Sequence, residues 1–156
     1  MVYVPAQQTS PMQLNAVGFG EACAIAQTEL PKEMVRLQSL RDEIESALSS
    51  EIPEMHINGR NAARLPNTSS LTFPGIDADA LLLNLPGLMM GTGSACTSGA
   101  VEPSHVLTAI GLNRELSSAT VRLSLGRFVI PSDVQYIVDE IITGIEQMQM
   151  SKRAAS

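Results

Sequence analysis

Positive charge and cysteine are both scarce in this sequence. Lys and Arg together number 10 against 16 Asp and Glu, which gives a net charge of −6. That balance leaves no basic patch, so binding to the phosphate backbone of nucleic acids is not expected. Cys23 and Cys96 lie in unlike sequence contexts, and no disulfide framework is predicted. The longest apolar runs fall far short of the roughly 18–20 residues that a membrane span needs.

Histidine is equally rare, and this bears on metal binding. His56 and His105 have no metal-ligand spacing with each other or with the two cysteines, so no metal site is predicted. His105 falls in the first turn of a short predicted helix, where packing or a surface position is the favoured interpretation. No signal peptide is visible, and a free thiol suits a reducing compartment, so the expected location is the cytoplasm.

The remaining composition is that of one globular domain. Hydrophobic residues make up 44% and charged residues 17% of the 156 positions, enough to bury a single core. The domain is expected to span 12–150, between an irregular arm at 1–11 and a flexible tail at 151–156. Cys23, between two alanines on an apolar helix face, is predicted to lie in the core.

Apolar periodicity predicts helices that flank a small sheet. A helical pattern runs from Met12 to about Ser49, and Pro31 is expected to bend it or to begin a second helix. The other predicted helices are Ala78–Leu85 capped by Asp77, Ser104–Ile110, and a last helix that begins at Pro131 or Ser132. The predicted strands are Met55–Asn58, Thr68–Phe73, a buried Leu88–Met90 and Thr120–Ser124.

Cys96 lies in a segment of glycines and small hydroxyl residues. Such a backbone reaches conformations closed to other residues, and its small side chains leave a thiol sterically open. The segment therefore predicts a thiol on a mobile loop, in which Gly93, Ser94, Thr97, Ser98 and Gly99 set the mobility rather than perform chemistry. The alternative is a chemically inert residue in a glycine-rich turn. No cationic residue adjoins Cys96 in sequence, so any activation of the thiol must come from the fold or from a cofactor.

Two motifs carry a family resemblance. They are Gly93-Ser94-Ala95-Cys96-Thr97-Ser98, followed by Glu102-Pro103-Ser104-His105, and Arg122-Leu123-Ser124-Leu125-Gly126-Arg127-Phe128. In order and spacing they resemble the pyridoxal-phosphate-dependent cysteine desulfurases of the class V aminotransferase family, over about residues 14–150. The resemblance implies an α/β fold like the C-terminal small domain of fold-type-I pyridoxal-phosphate enzymes, with about four strands in a mixed or antiparallel sheet flanked by helices.

The resemblance also implies a function and its residues. Cys96 would be the catalytic nucleophile that carries sulfur from L-cysteine as a persulfide, for iron–sulfur cluster or thio-cofactor assembly. Arg122 would bind the substrate α-carboxylate, while Arg127 would brace the turn after the strand. The implied partners are the missing cofactor domain or a desulfurase homodimer partner, together with a sulfur-acceptor protein. The structural alternative for Arg122 is a salt bridge on an edge strand.

The cofactor domain of the family has no counterpart in this sequence. Of the two lysines, Lys32 follows Pro31 and Lys152 lies near the end, and neither has the setting of the family's Schiff-base lysine. Pyridoxal phosphate is thus expected in a complete enzyme and not on this chain alone, which is expected to be inactive by itself. Whether the chain is an enzyme stays open. The alternative is a cofactor-free interaction module that binds a desulfurase or its sulfur acceptor. A third alternative, a thiol redox protein, is disfavoured because no resolving cysteine lies near Cys96 in the sequence.

Overall fold

The computed structural model describes residues 11–92 and 104–155. In chain order the elements of these residues are α1 (Pro11–Glu51), β1 (His56–Ile57), β2 (Thr68–Thr72), α2 (Ala78–Leu83), β3 (Gly91–Thr92), α3 (His105–Ala109), α4 (Arg114–Ser118), β4 (Thr120–Ser124) and α5 (Pro131–Ala155). Arg122 thus lies within β4, and in sequence the Cys96 motif follows β3.

The four strands form one antiparallel sheet in the order β1-β2-β4-β3. Its centre is the five-residue pair of β2 and β4, in which Ser70 is opposite Arg122 and Leu71 is opposite Val121. β3 extends the other edge of β4, with Gly91 opposite Arg122. The expected small sheet flanked by helices is therefore confirmed, and its strands are antiparallel.

One face of the sheet is packed against helices. Leu71 and Val121 point to this side and are fully buried, because alternate residues of a strand share a face. They join a single apolar cluster with the second half of α1, with α2 and with α5. From α5 the cluster takes one apolar stripe at helical spacing, Val134, Ile137, Val138, Ile141 and Ile145, with the partly buried Met148 packed against it.

Pro31 lies inside α1, and the predicted start of a second helix there is wrong. A proline removes one backbone hydrogen bond, here the bond to the carbonyl of Gln27, but the turns on both sides keep theirs. Both residues are exposed, so water can satisfy the freed carbonyl. One helix of 41 residues, about 60 Å long, results.

Cys23 is exposed, so its predicted core position is wrong. The core begins on α1 at Leu37, and from residue 15 to residue 36 no side chain of the helix is buried. The apolar pattern around Cys23 does form a helix, as predicted. A pattern shows which face of a helix is apolar, however, and not whether the same chain covers that face.

Three smaller differences concern local structure. Leu88–Met90 is not a strand: Pro86-Gly87 forms a turn in which the Leu88 amide donates to the Leu85 carbonyl, and Met89 is exposed. The short helix α4 was not predicted, although Asn113 caps it by accepting from the Leu116 amide. α5 continues to Ala155, well into the segment predicted to be a tail.

Among the described residues, none of the helices is both long and apolar enough to cross a bilayer.

The predicted cap of α2 gives a first test of the fold. The Asp77 carboxylate accepts from the Ala80 amide at 2.8 Å, as an N-cap residue does. Asp77→Ala is expected to lower the free energy of unfolding by about 1 kcal/mol, since it leaves a helix-terminal amide without its acceptor. Asp77→Asn keeps the acceptor and is expected to change little. Urea denaturation of both variants measures the difference, and equal stabilities would contradict the capping role.

Candidate functional site

The face of the sheet opposite the core is lined by polar side chains. β2 contributes Thr68, Ser70 and Thr72, and β4 contributes Thr120, Arg122 and Ser124. Thr72 and Thr120 are buried at one end, where their hydroxyl oxygens lie 2.7 Å apart. Towards the other end the face opens, and Arg122 and Ser124 are exposed.

Asn58, just after β1, holds the hydroxyl side chains of this face in place. Its amide donates to Ser70 Oγ at 3.1 Å and to Thr72 Oγ1 at 2.8 Å. Ser70 is in turn the cross-strand neighbour of Arg122. This contribution of Asn58 was not predicted from the sequence. Its only signal was the Asn-Gly pair that ends the predicted strand, which indicates a turn and not a side-chain network.

Arg122 leans across β3. A Cβ atom built on Gly91 would lie 3.5 Å from Arg122 Nη2 and 4.0 Å from its Cζ, so the guanidinium lies beside the backbone of that strand. Within residues 11–92 and 104–155 the ion pairs of arginines involve Arg36, Arg41 and Arg64, and no carboxylate pairs with Arg122. The salt bridge considered as its structural alternative is therefore not found in this part of the chain. An exposed guanidinium fork can donate two parallel hydrogen bonds to a carboxylate.

The other predicted site residues divide into two groups. Cys96 and the loop residues Gly93, Ser94, Thr97, Ser98 and Gly99 lie outside the described residues. His105 is exposed on α3, one of the two positions predicted for it. Arg127 acts at its turn through the main chain, because its carbonyl accepts from Arg36 Nη2 at 3.0 Å. Among the described residues, no group of His, Cys, Asp and Glu could hold a metal ion.

A buried ion pair lies on the core side of the sheet. Arg64 donates from both terminal nitrogens to the carboxylate of Glu45, at 2.6 and 2.8 Å, and Ser69 Oγ donates to the same carboxylate at 2.5 Å. Burial alone would raise the pKa of Glu45, but these hydrogen bonds outweigh it and hold the pKa below its ordinary value. The pair joins α1, the segment before β2 and β2 itself, so its role is structural.

Neither lysine fits the binding of pyridoxal phosphate. Lys32 is exposed on α1, while Lys152 donates to the Gly75 carbonyl and lines a shallow groove with Ala80, Asn84, Gln147, Met148, Met150 and Ser151. No aspartate lines that groove to pair with a pyridine nitrogen, and its lining offers the cofactor phosphate no arginine. The described residues therefore do not form a cofactor site.

The chain is similar to cysteine desulfurases. It is 38% identical over 133 residues to the cysteine desulfurase IscS of Pseudomonas entomophila, and 39% identical over 133 residues to IscS of Edwardsiella ictaluri. Each match covers 85% of this chain and 33% of the relative, so the chain spans about a third of the length of these relatives. No protein-family model matches the sequence.

A solved structure shares the fold. The X-ray structure of a NifS-like protein from Rickettsia africae aligns with 94% of this chain and 39% of its own, with a TM-score of 0.74 and 24% identity. DndA from Streptomyces lividans aligns with 80% of this chain at a TM-score of 0.51 and 32% identity. The fold is thus that of a domain within larger NifS-like chains. The resemblance to the C-terminal small domain of a pyridoxal-phosphate-dependent cysteine desulfurase is confirmed.

Proposed function

We propose that this chain is the sulfur-accepting and substrate-binding domain of a cysteine desulfurase. In this proposal Arg122 binds the α-carboxylate of L-cysteine, and Cys96 accepts its sulfur as a persulfide and delivers it to an acceptor protein. The observation that carries the proposal is the position of Arg122: exposed, without a carboxylate partner among the described residues, and leaning over the strand from which the chain continues to Cys96.

Chain length supports the pairing of Arg122 with Cys96. Gly91 is the cross-strand neighbour of Arg122, and Thr92 ends β3. Four residues further along the sequence is Cys96, and four residues reach at most about 14 Å when fully extended. A substrate held by its carboxylate at Arg122 therefore lies within the range that the Cys96 thiol can visit. The small residues around Cys96 suit a thiol that must travel between a substrate and an acceptor.

The proposed reaction balances without an external oxidant. L-Cysteine and the Cys96 thiol give alanine and the Cys96 persulfide, so the carbon–sulfur bond of the substrate is exchanged for a sulfur–sulfur bond on the protein. Cleavage of that bond is the chemistry that pyridoxal phosphate supplies, and the cofactor binds to the part of a desulfurase that this chain does not span. The chain itself orients the substrate and takes the sulfur.

The partners follow from the same division of roles. The proposal requires a cofactor-bearing part, in a homodimer as in the family that the chain resembles, and an acceptor for iron–sulfur cluster or thio-cofactor assembly. A thiol that carries persulfide must stay reduced between turnovers, so the proposal places the protein in the cytoplasm. The chain alone is expected to release no sulfide from L-cysteine and to show no pyridoxal absorbance.

Mass spectrometry of Cys96 tests the proposal. The chain is assembled with the cofactor-bearing part of the Pseudomonas entomophila enzyme, that is, the residues of IscS outside the third that this chain matches. After L-cysteine is added, the peptide that contains Cys96 is expected to gain one sulfur atom, while the Cys23 peptide gains none. Formation of alanine without added sulfur on Cys96 would overturn the role proposed for this residue.

A further inference from the structure

The N-terminal half of α1 exposes a continuous apolar surface. Phe19 is 74% exposed, Leu30 52% and Met34 42%, and no side chain of α1 between residues 15 and 36 is buried. Single exposed apolar side chains are ordinary on protein surfaces, but a helix with several turns of them is not. This half of the helix needs a covering partner.

Five exposed residues in the N-terminal half of α1 continue the side of the helix that packs against the core further along. They define the α1 stripe: Phe19, Cys23, Ala26, Leu30 and Met34. Steps of three and four residues connect them, and a further step of three leads from Met34 to the buried Leu37. Such steps keep side chains on one side of a helix. The α1 stripe is thus an uncovered extension of the side that packs against the domain.

The opposite side of this helix half carries two further exposed apolar residues. Val17 and Val35 are separated by 18 positions, or five whole turns, so they share a side. Glu21, Thr28 and Lys32 lie between them on that side, so the α1 stripe is the apolar side of this helix half.

The segment after β4 enlarges the same surface. Arg36 donates from Nη1 to the Val129 carbonyl at 2.6 Å and from Nη2 to the Arg127 carbonyl, which fixes residues 126–130 beside α1. Phe128 in this segment is 88% exposed. A groove of about 360 Å³ lies between the two, lined by Ala22, Ile25, Ala26, Glu29, Leu30, Glu33 and Arg127. The surface therefore begins close behind the strand that carries Arg122.

We propose that the α1 stripe and Phe128 form the docking surface for the cofactor-bearing part of a desulfurase, whether on the same polypeptide or on another. This inference rests on the proposed function. Its occupant follows from size: almost all of this chain aligns with the NifS-like chain yet fills only 39% of it, so the larger remainder is available to cover the α1 stripe.

Charge placed on the α1 stripe tests the docking surface. The tagged chain is co-expressed with the cofactor-bearing part of the Pseudomonas entomophila enzyme, and a 1:1 complex is expected in light scattering after size exclusion. Phe19→Glu and Leu30→Glu are each expected to weaken the complex at least 10-fold. Leu83→Glu, which alters an exposed apolar residue of α2, is the matched control and should leave the affinity unchanged. Cys23 should react with a maleimide in the free chain and be protected in the complex.

The positive control is the segment removed from the Pseudomonas enzyme, that is, the third that this chain matches. It shows whether the cofactor-bearing part can bind its own missing segment. A cofactor-bearing part that binds this third but not our chain overturns the proposal, as does a complex that both charged variants leave intact. A dimer of the free chain that Phe19→Glu abolishes would assign the surface to a second copy, which also overturns it.

If the cofactor-bearing part binds neither this chain nor the segment removed from the Pseudomonas enzyme, the variants are compared in a single polypeptide. In that polypeptide this chain replaces the matched third of the Pseudomonas enzyme. There Phe19→Glu must lower the thermal midpoint relative to Leu83→Glu, and equal midpoints overturn the proposal. A complex without sulfur on Cys96 supports the docking surface and overturns the proposed function, so the two failures are distinguishable.

Discussion

Arg122→Ala in the assembled desulfurase is expected to lower kcat/KM for L-cysteine by about 100-fold. Two charge-assisted hydrogen bonds to a carboxylate are together worth about 3 kcal/mol, and each 1.4 kcal/mol corresponds to a factor of ten. The loss should appear mainly in KM, because the substrate carboxylate takes no part in the bond that breaks. Steady-state alanine formation at varied L-cysteine concentration measures both constants.

Two further variants separate geometry from charge. Arg122→Lys keeps the positive charge but loses the planar fork, and is expected to recover only part of the activity, to within about 10-fold of the original. Arg153→Ala removes an exposed arginine in the last turn of α5 and should have no effect. An Arg122→Ala enzyme with an unchanged KM would show that the carboxylate binds elsewhere.

Glu45→Gln is expected to lower the free energy of unfolding by about 2–3 kcal/mol at neutral pH. The substitution removes the charge that Arg64 pairs with in a site where the Glu45 side chain is 5% and the Arg64 side chain 19% exposed. Loss of one partner leaves the other charge buried without compensation, which costs about 3–5 kcal/mol in fully buried pairs. Because Arg64 is partly exposed, the expected loss lies just below that range. Glu43→Gln, on the exposed side of the same helix, should change little.

The same pair predicts how stability depends on pH. The pKa of Glu45 in the folded protein lies below the ordinary value of 4.5. Its contribution is therefore complete above about pH 4.5 and is lost as the pH falls through the lowered pKa, because the unfolded chain binds the proton first. Urea midpoints measured from pH 7 down to pH 3 should fall less steeply for Glu45→Gln than for the original chain. Parallel curves would contradict this assignment.

The sequence predicted those parts of the fold that depend on local chemistry. The strand that carries Arg122 was predicted with its observed bounds, and the capping role of Asp77 followed from its position before an apolar helix. The exposure of Cys23 could not be predicted in this way, because it depends on what covers α1 and not on the pattern along α1. The Arg64–Glu45 pair also joins distant segments, which no local pattern reports.

The substrate site was predicted in its residues but not in its arrangement. Motif spacing singled out Arg122, yet only the register of the sheet shows that Gly91 lies opposite and that the guanidinium leans across β3. Asn58 went unnoticed because an amide that donates to two hydroxyls across a strand pair has no sequence signature. Pairing between strands distant in sequence is a long-range property, and it decided where the polar face opens.

Pro31 gives α1 a mechanical property that its uninterrupted course conceals. It lies between the exposed first half of the helix and the half that enters the core at Leu37. At Pro31 the helix lacks one of its internal hydrogen bonds, so it bends more readily there than elsewhere. Arg36, five residues further on, holds the helix to the segment after β4 through its hydrogen bonds to two carbonyls. Bending at Pro31 would therefore move Arg122 and the sheet together, as one rigid unit, relative to the exposed first half of α1.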